Sequence, residues 1–212
     1  MFDVHRTKVA RRSARATFKT ATFTPQQRYN RGACCAANFT TLPEALMADA
    51  KPLAGQTAWI TGSSRGLGRV MATKLCALGA AVAVHGTRQN SPQSFGEGQS
   101  MEQVAADIAT AAGGGTTMPI WGDVMDEAEV QRMADAIRSR LGKIDILVTN
   151  AGGDIGAGGT GVGRGGRPSP DDCIGIPLAD IRAVMDRNLL SCILCCRAVA
   201  PEMQARKSGR II

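Results

Sequence analysis

The segment Thr61-Gly-Ser-Ser-Arg-Gly-Leu-Gly68 decides the fold of this chain of 212 residues. A short apolar run, Thr57–Thr61, leads into it, and the stretch that follows it ends at Gly79. Apolar side chains recur in that stretch at helical spacing: Leu67, Met71, Leu75 and Leu78. The segment therefore predicts a strand, a tight glycine-rich turn and a helix whose N-terminal N–H groups can receive a phosphate.

The same alternation of short apolar runs and helical stretches continues along the chain. Further strands are predicted at Ala81–His85, Thr117–Trp121, Asp145–Thr149 and Arg210–Ile212. Between them, the pairs Ser100 with Gln103 and Asp126 with Glu129 predict the starts of two helices, which end before Gly113 and Gly142. A long helix is predicted from about Leu178 to Met203.

Continuous apolar strands separated by helices are typical of a parallel sheet that is covered on both faces. The prediction for residues 47–212 is therefore an α/β fold, a Rossmann-like doubly wound parallel sheet in three αβα layers. We expect this sheet to be incomplete at its C-terminal end, because the fifth strand reaches Ile212, the last residue.

The net charge of +7 is confined to the first part of the chain. Residues 1–43 hold eight basic side chains and one acidic side chain, whereas residues 44–212 hold 17 of each sign. The predicted domain is thus neutral, which argues against nucleic acid as a partner. No run of 18 apolar residues occurs, so no membrane-spanning helix is predicted and a membrane is not an expected partner.

Residues 1–46 form a basic tail that we predict to be disordered and separate from the domain. Its arginine-rich, acid-poor composition is typical of an organellar transit peptide. An equally weighted alternative is upstream read-through, with translation beginning at Met47. The expected location is cytoplasmic, or mitochondrial if the tail is a transit peptide. Seven cysteines without a signal peptide favour reduced thiols over disulfides.

Four motifs, in order along the chain, resemble those of the short-chain dehydrogenase/reductase family. They are the glycine motif Thr61–Gly68, the acidic-hydrophobic pair Asp123-Val124, the triplet Asn150-Ala151-Gly152, and Asn188 in the long helix. The resemblance covers about residues 50–212. It implies hydride transfer between NAD(P) and a small carbonyl or alcohol substrate, as in the 3-oxoacyl-carrier-protein reductases, and a homo-oligomer for a full-length protein.

The resemblance also implies which residues form the site. The cofactor-binding residues are expected to be Gly62, Ser64, Arg65, Gly66, Leu67, Gly68, Arg88, Asp123, Val124, Asn150, Ala151 and Gly152. Asn188 is the expected catalytic residue, which in the family supports a water leading to a catalytic lysine. From the pattern alone, Asn188 could equally be a core amide and Asp123 a turn residue.

The other members of the family's catalytic set are a serine, a tyrosine and a lysine. The serine would follow the fifth strand, and a Tyr-x-x-x-Lys motif would lie further on. The only tyrosine of this chain is Tyr29, in the basic tail. We therefore expect the chain alone to be inactive by that mechanism, and a catalytically incomplete dinucleotide-binding fragment is the alternative function.

The expected cofactor is NADP, with NAD as the second possibility. An NAD site needs a carboxylate near the end of the second strand to accept from the ribose 2′-hydroxyl, and Gly86 stands at that place. Arg65 and Arg88 are placed to reach a 2′-phosphate, for which arginine is well suited. In the opposing interpretation Arg88 is a solvated loop residue and the protein accepts either cofactor.

Two other motifs do not fit the sites that they are typical of. Gly62-Ser-Ser-Arg-Gly66 fits the G-x-S-x-G pattern of serine hydrolases, but the only downstream histidine is His85 and no acidic residue lies between Ser64 and it. Cys192-x-x-Cys195 stands within an apolar helical stretch without a second ligand pair, so buried thiols are expected and no metal site is predicted.

Nine of the fifteen residues from Gly152 to Gly166 are glycine, a composition typical of a flexible linker. This stretch leaves the carboxyl end of the fourth strand, where open α/β sheets bind their ligands. Our hypothesis is that it forms a mobile lid over the substrate cleft.

Overall fold

The structure, a computed structural model, describes residues 51–161 and 163–212. The predicted basic tail, 1–46, lies outside the described residues. The core of the described part is one sheet of five strands: β1 (Thr57–Ile60), β2 (Ala81–Gly86), β3 (Thr117–Trp121), β4 (Ile146–Val148) and β5 (Arg210–Ile211). All neighbouring strands are parallel, in the order β3-β2-β1-β4-β5. The predicted parallel α/β sheet is confirmed.

Helices cover both faces of the sheet. They are α1 (Gly66–Ala77), α2 (Met101–Ala111), α3 (Glu127–Leu141), α4 (Leu178–Met185) and α5 (Ser191–Ala205), with 3₁₀ turns at Ser91–Phe95 and Gly163–Gly166. Trp59 and Leu147 pack with α3 and α5 on one face, and Ile60 and Val84 pack with α1 and α2 on the other. These two apolar clusters confirm the three αβα layers.

The strand order creates the place for a site. β1 pairs with β2 on one side and with β4 on the other. The chain runs outward from β1 to β2 and β3, then crosses back to β4 on the other side of β1. In an open parallel sheet this reversal separates the loops at the carboxyl ends and leaves a crevice between them. The Thr61–Gly68 turn and the loop after β4 meet at that crevice.

The predicted long helix is interrupted. Residues 178–205 are helical throughout, but Asp186–Leu190 form a π turn between α4 and α5. No residue of α4 or of the π turn is buried, whereas α5 buries Leu194, Val199 and Met203. Within the described ranges, no helix is both long and apolar enough to cross a membrane.

Both predicted helix starts are correct. The Oγ atom of Ser100 accepts a hydrogen bond from the N–H of Gln103 at 3.3 Å, and Oδ1 of Asp126 accepts from the N–H groups of Ala128 and Glu129. The reciprocal half of each box is missing, because the Gln103 side chain accepts from the N–H of Gln99 instead and Glu129 binds Arg132.

Candidate functional site

A cleft of about 370 Å³ lies at the carboxyl ends of β1, β2 and β4. Eleven of the thirteen predicted site residues line it: Gly62, Ser64, Arg65, Gly66, Leu67, Gly68, Asp123, Val124, Asn150, Ala151 and Gly152. The remaining two, Arg88 and Asn188, are not among the residues that line it. The fold thus brings the glycine turn, the end of β3 and the end of β4 to one cleft.

Helix α1 begins at this cleft without a side-chain cap. Its N-cap residue, Arg65, has an extended backbone and makes no capping hydrogen bond with its side chain, and the first turn holds no acidic residue. The first N–H groups of a helix lack intrahelical partners, and together they carry a partial positive charge. This helix start is therefore suited to an anion such as a diphosphate.

Two glycines of the turn are required by close contacts. A Cβ atom on Gly68 would lie 2.4 Å from the carbonyl oxygen of Gly62 and 2.5 Å from Nδ2 of Asn150. A Cβ atom on Gly62, whose φ is +65°, would lie 2.9 Å from Cα of Ala151. The turn, the helix start and the β4 loop are consequently packed backbone to backbone, and this packing leaves the cleft open above them.

Thr61 and Asn150 join the glycine turn to the loop after β4. The buried Oγ1 atom of Thr61 accepts from the N–H of Asn150 at 3.0 Å and of Ala151 at 2.9 Å, and it donates to the carbonyl of Val148. The Nδ2 atom of Asn150 donates back to the carbonyls of Thr61 and Gly62. These bonds fix the two loops that form the base of the cleft.

His85, at the end of β2, also lines the cleft, and its ring is buried. The Nδ1 atom accepts from the N–H of Gly62 at 3.0 Å, and Nε2 lies 3.0 Å from the carbonyl oxygen of Gly122. Burial lowers the pKa of His85 to about 4, while the Gly122 carbonyl and the charge of Asp123 act in the opposite direction. The ring is therefore neutral at pH 7.

We expect acidification from pH 7 to pH 5 to destabilise the wild-type protein more than a His85→Asn variant. The unfolded chain binds this proton below its ordinary pKa of 6.5 and the folded chain only near 4. Stability from the neutral ring is thus complete above pH 6.5 and is lost as the pH falls toward 4. At pH 5 the extra loss is about 2 kcal/mol in the free energy of unfolding from urea titrations. Equal losses in both proteins would contradict this expectation.

Asp123 and Val124 lie where β3 ends. Oδ1 of Asp123 accepts from the N–H of Met125 at 2.9 Å, so this carboxylate shapes the turn as well as lining the cleft. The side chain of Val124 is buried, in contact with the apolar cluster beneath. The two interpretations of Asp123, turn residue and cleft residue, are thus compatible.

Asn188 lies in the π turn and is bound to backbone groups. Its Oδ1 accepts from the N–H of Gly153, and its Nδ2 donates to the carbonyls of Gly153 and Val184. A Cβ atom on Gly152 would lie 2.4 Å from Oδ1 of Asn188. In this structure Asn188 therefore holds the start of the glycine-rich loop, and its catalytic role remains a prediction.

The profile of the short chain dehydrogenase family matches residues 56–212. The chain belongs to this family. A 7alpha-hydroxysteroid dehydrogenase of Escherichia coli (strain K12) is 32% identical over 160 residues, which are 76% of this chain and 52% of that protein. The chain thus spans about half the length of this curated relative.

Two solved structures of similar proteins contain dinucleotides. A metagenomic short-chain oxidoreductase in complex with NADP has a TM-score of 0.58 and 30% identity, over 75% of this chain and 61% of that one. A 7alpha-hydroxysteroid dehydrogenase complexed with NADH and 7-oxo glycochenodeoxycholic acid has a TM-score of 0.59 and 30% identity, over 75% of this chain and 52% of that one. Short-chain dehydrogenases similar to this chain therefore include one solved with each dinucleotide.

The residues that line the cleft near the end of β2 were predicted only in part. Arg88 is exposed, and its N–H donates to Oγ of Ser91. Thr87 and Ser91 also line the cleft, and no motif of the sequence pointed to them. Arg187 also lines it, with an Nε atom that is buried and without a hydrogen-bond partner in the described part of the chain. The only sign of Arg187 in the sequence was its position next to the predicted residue Asn188.

The contacts of His85 bear on the hydrolase motif. Both ring nitrogens are engaged by backbone groups, and Ser64 contacts His85 through its N–H, which donates to the His85 carbonyl.

The Cys195 thiol of the second motif belongs to the apolar cluster between α5 and the sheet. Burial raises the pKa of this thiol to about 12. Among the described residues, no group of three or more potential metal ligands is found.

The glycine-rich loop borders the cleft. Ile155 and Thr160 line it beside Gly152. Farther along, the N–H of Ala157 donates to Oδ1 of Asp180 at 2.8 Å, which ties the loop to α4. The location beside the cleft fits the lid hypothesis, and mobility of the loop stays a prediction.

Proposed function

We propose that this chain forms the dinucleotide-binding part of an NADP(H)-dependent oxidoreductase that transfers a hydride between the cofactor and a carbonyl or alcohol. The observation that carries the proposal is the uncapped start of α1, which opens into the cleft behind a glycine that has no room for a side chain. Membership of the short chain dehydrogenase family supports the same conclusion.

The residues of the cleft fit a dinucleotide in three parts. The N–H groups at the start of α1 would hold the diphosphate. Asp123 and Val124 would hold the adenine, and Asn150, Ala151 and Gly152 would line the ribose next to the nicotinamide. When bound, the dinucleotide supplies or accepts the hydride. The loop that begins at Gly152 would exclude water from that end of the cleft.

The proposed preference for NADP rests on two features of the cleft: the end of β2 carries no carboxylate, and Arg65 supplies a positive charge. Gly86 is buried, lines the cleft and carries no carboxylate, and its neighbours Thr87 and Ser91 are polar and uncharged. Arg65 lines the same cleft and can form charge-assisted hydrogen bonds to a 2′-phosphate. A 2′-phosphate would thus meet positive charge and no opposing carboxylate at this point.

We expect a Gly86→Asp variant to bind NADPH at least about 10-fold more weakly than a Gly86→Asn variant, a loss of about 1.4 kcal/mol. The two side chains are matched in size, and both must displace the flexible end of Met101, whose Sδ would lie 2.6 Å from a Cβ atom at this position. They differ in charge, because only aspartate carries a carboxylate. This carboxylate repels a 2′-phosphate but can accept a hydrogen bond from the 2′-hydroxyl of NADH. Fluorescence titration with NADPH and NADH measures both affinities.

Three results of these titrations would contradict the proposal in different ways. Absence of binding of either dinucleotide to the wild-type protein would remove the function itself. Equal wild-type affinities for NADPH and NADH would remove the preference for NADP. Equal NADPH affinities in the two variants would show that charge at position 86 has no influence.

A second candidate function is a protein that binds the dinucleotide without transferring hydride. It is favoured by the contacts of Asn188, the one predicted catalytic residue, whose side-chain amide is already bound to backbone groups of Gly153 and Val184. The two candidates are separated by following NADPH absorbance with a 7-oxosteroid or a 3-oxoacyl thioester as substrate. Saturable binding without consumption of NADPH would support the second candidate.

The surface of α4 and the π turn supports self-association. Large apolar side chains are exposed along one helical segment: Leu178, Met185, Leu189, Leu190 and Ile193. A row of exposed apolar groups is typical of an interaction surface. We propose that it contacts a second copy of the chain in a homo-oligomer.

A further inference from the structure

One histidine connects the two sides of the cleft. The His85 ring lies between the Gly62 N–H and the Gly122 carbonyl, at 3.0 Å from each. An N–H group can only donate and a carbonyl can only accept, so Nδ1 is the acceptor and Nε2 carries the proton. Asp123 is the charged group whose field acts on the ring. The contacts therefore select one neutral tautomer.

The backbone of His85 holds the next two residues of the turn. Its N–H donates to Oγ of Ser63 at 2.8 Å, and its carbonyl accepts from the N–H of Ser64 at 3.1 Å. Three consecutive residues of the turn, 62 to 64, are thus each bound to this one residue. Because His85 is 1% exposed, water does not compete for these bonds.

Of the three contacts, the hydrogen bond to the Gly62 amide places the strictest requirement on the geometry of the turn. Gly62 has a φ of +65°, and its carbonyl oxygen accepts from Nδ2 of Asn150 and lies against Gly68. The hydrogen bond to Nδ1 fixes the direction of the peptide before Gly62. The orientation of the turn that starts α1 therefore depends on an acceptor at this point.

We propose that His85 is a positioning residue for dinucleotide binding, which orients the Gly62 amide through Nδ1. The inference rests on the dinucleotide-binding function proposed above. Through Gly62 the ring sets the phosphate-binding turn, and the Gly122 carbonyl keeps the proton on Nε2, so that Nδ1 stays an acceptor. His85 acts through these backbone groups, because both ring nitrogens are already used by them.

Three substitutions in the full chain separate the two bonds. His85→Asn places an acceptor oxygen near the position of Nδ1, His85→Gln places a donor nitrogen near the position of Nε2, and His85→Leu provides neither. We expect NADPH affinity within about 3-fold of wild type for H85N and at least about 10-fold weaker for H85Q and H85L. Fluorescence titration measures the affinities, and thermal melting checks that each variant folds.

The tautomer of His85 can be observed directly in the folded wild-type protein. The chain has two histidines, His5 and His85, and the signal absent from H85N identifies His85 in a two-bond ¹H–¹⁵N correlation spectrum. We expect the Nε2–H pattern at pH 7 in the wild-type protein. The Nδ1–H pattern or a charged ring would overturn the inference regardless of the binding results.

The outcomes distinguish this inference from the function on which it rests. If the wild-type protein binds neither NADPH nor NADH, the proposed function fails and the role of His85 fails with it. If the wild-type protein binds and H85N loses as much affinity as H85Q, or no variant loses any, only the role of His85 is overturned. Rescue by H85N alone supports it, since a merely structural role would not favour the acceptor variant.

Discussion

A Gly68→Ala variant is expected to bind NADPH at least about 30-fold more weakly than the wild-type protein, a loss of about 2 kcal/mol. The new methyl group would stand 2.4 Å from the Gly62 carbonyl oxygen and 2.9 Å from Cα of Ser63. Both are backbone atoms, so the turn and the start of α1 must move apart. Alanine is the better helix former by about 1 kcal/mol, but that gain is smaller than the cost of displacing the turn.

The matched control is Gly142→Ala, at the C-terminal end of α3. A Cβ atom there meets nothing within 4 Å, and only the φ of +87° opposes the substitution. We expect this variant to lose about 1 kcal/mol of unfolding free energy and no NADPH affinity. Equal affinities of the Gly68→Ala variant and the wild-type protein would show that close packing of the turn is not needed for binding.

A Thr61→Val variant is expected to lose about 3 kcal/mol of unfolding free energy. The hydroxyl of Thr61, which is 1% exposed, accepts from two backbone N–H groups of the loop after β4. Valine fills the same volume, so the substitution removes hydrogen bonds without creating a cavity. The half-buried N–H groups of Asn150 and Ala151 are left without this acceptor, and the cost of leaving them unsatisfied determines the effect.

Thr61→Ser is the matched control, because it keeps the hydroxyl and removes only a methyl group. Its loss should be about 1 kcal/mol in the same urea or guanidinium titrations. If valine and serine destabilise the protein equally, the hydroxyl contributes little and packing accounts for the loss. NADPH affinity should follow the same order, since Asn150 and Ala151 line the cleft.

The strands and the glycine turn were predictable because their signals are local. Apolar runs such as Thr57–Thr61 and helix caps such as Ser100 and Asp126 need no knowledge of distant residues. The contacts that hold the cleft are long-range, as between Thr61 and Ala151, which are 90 positions apart. Spacing along one sequence does not reveal such pairs, and only the family motifs brought Asn150 and Ala151 into the predicted site.

The role of His85 could be predicted from the sequence only in part. A histidine at the end of an otherwise apolar strand marks a polar group in a buried position, which needs partners on both ring nitrogens. The sequence cannot state that those partners are the backbone of Gly62 and Gly122, because backbone groups carry no residue-specific signal. Arg88 illustrates the reverse case, since its charge favours a phosphate but the structure does not place it among the cleft residues.

The π turn at Asp186–Leu190 has a consequence for the surface of the protein. Such a turn contains about one residue more than an α turn, so it rotates everything after it by about 100° around the helix axis. The exposed Leu178 and Met185 before the turn and the buried Leu194 and Val199 after it therefore point in different directions. One extra residue in the register thus allows a single helical rod to leave one apolar side exposed and to pack another against its own sheet.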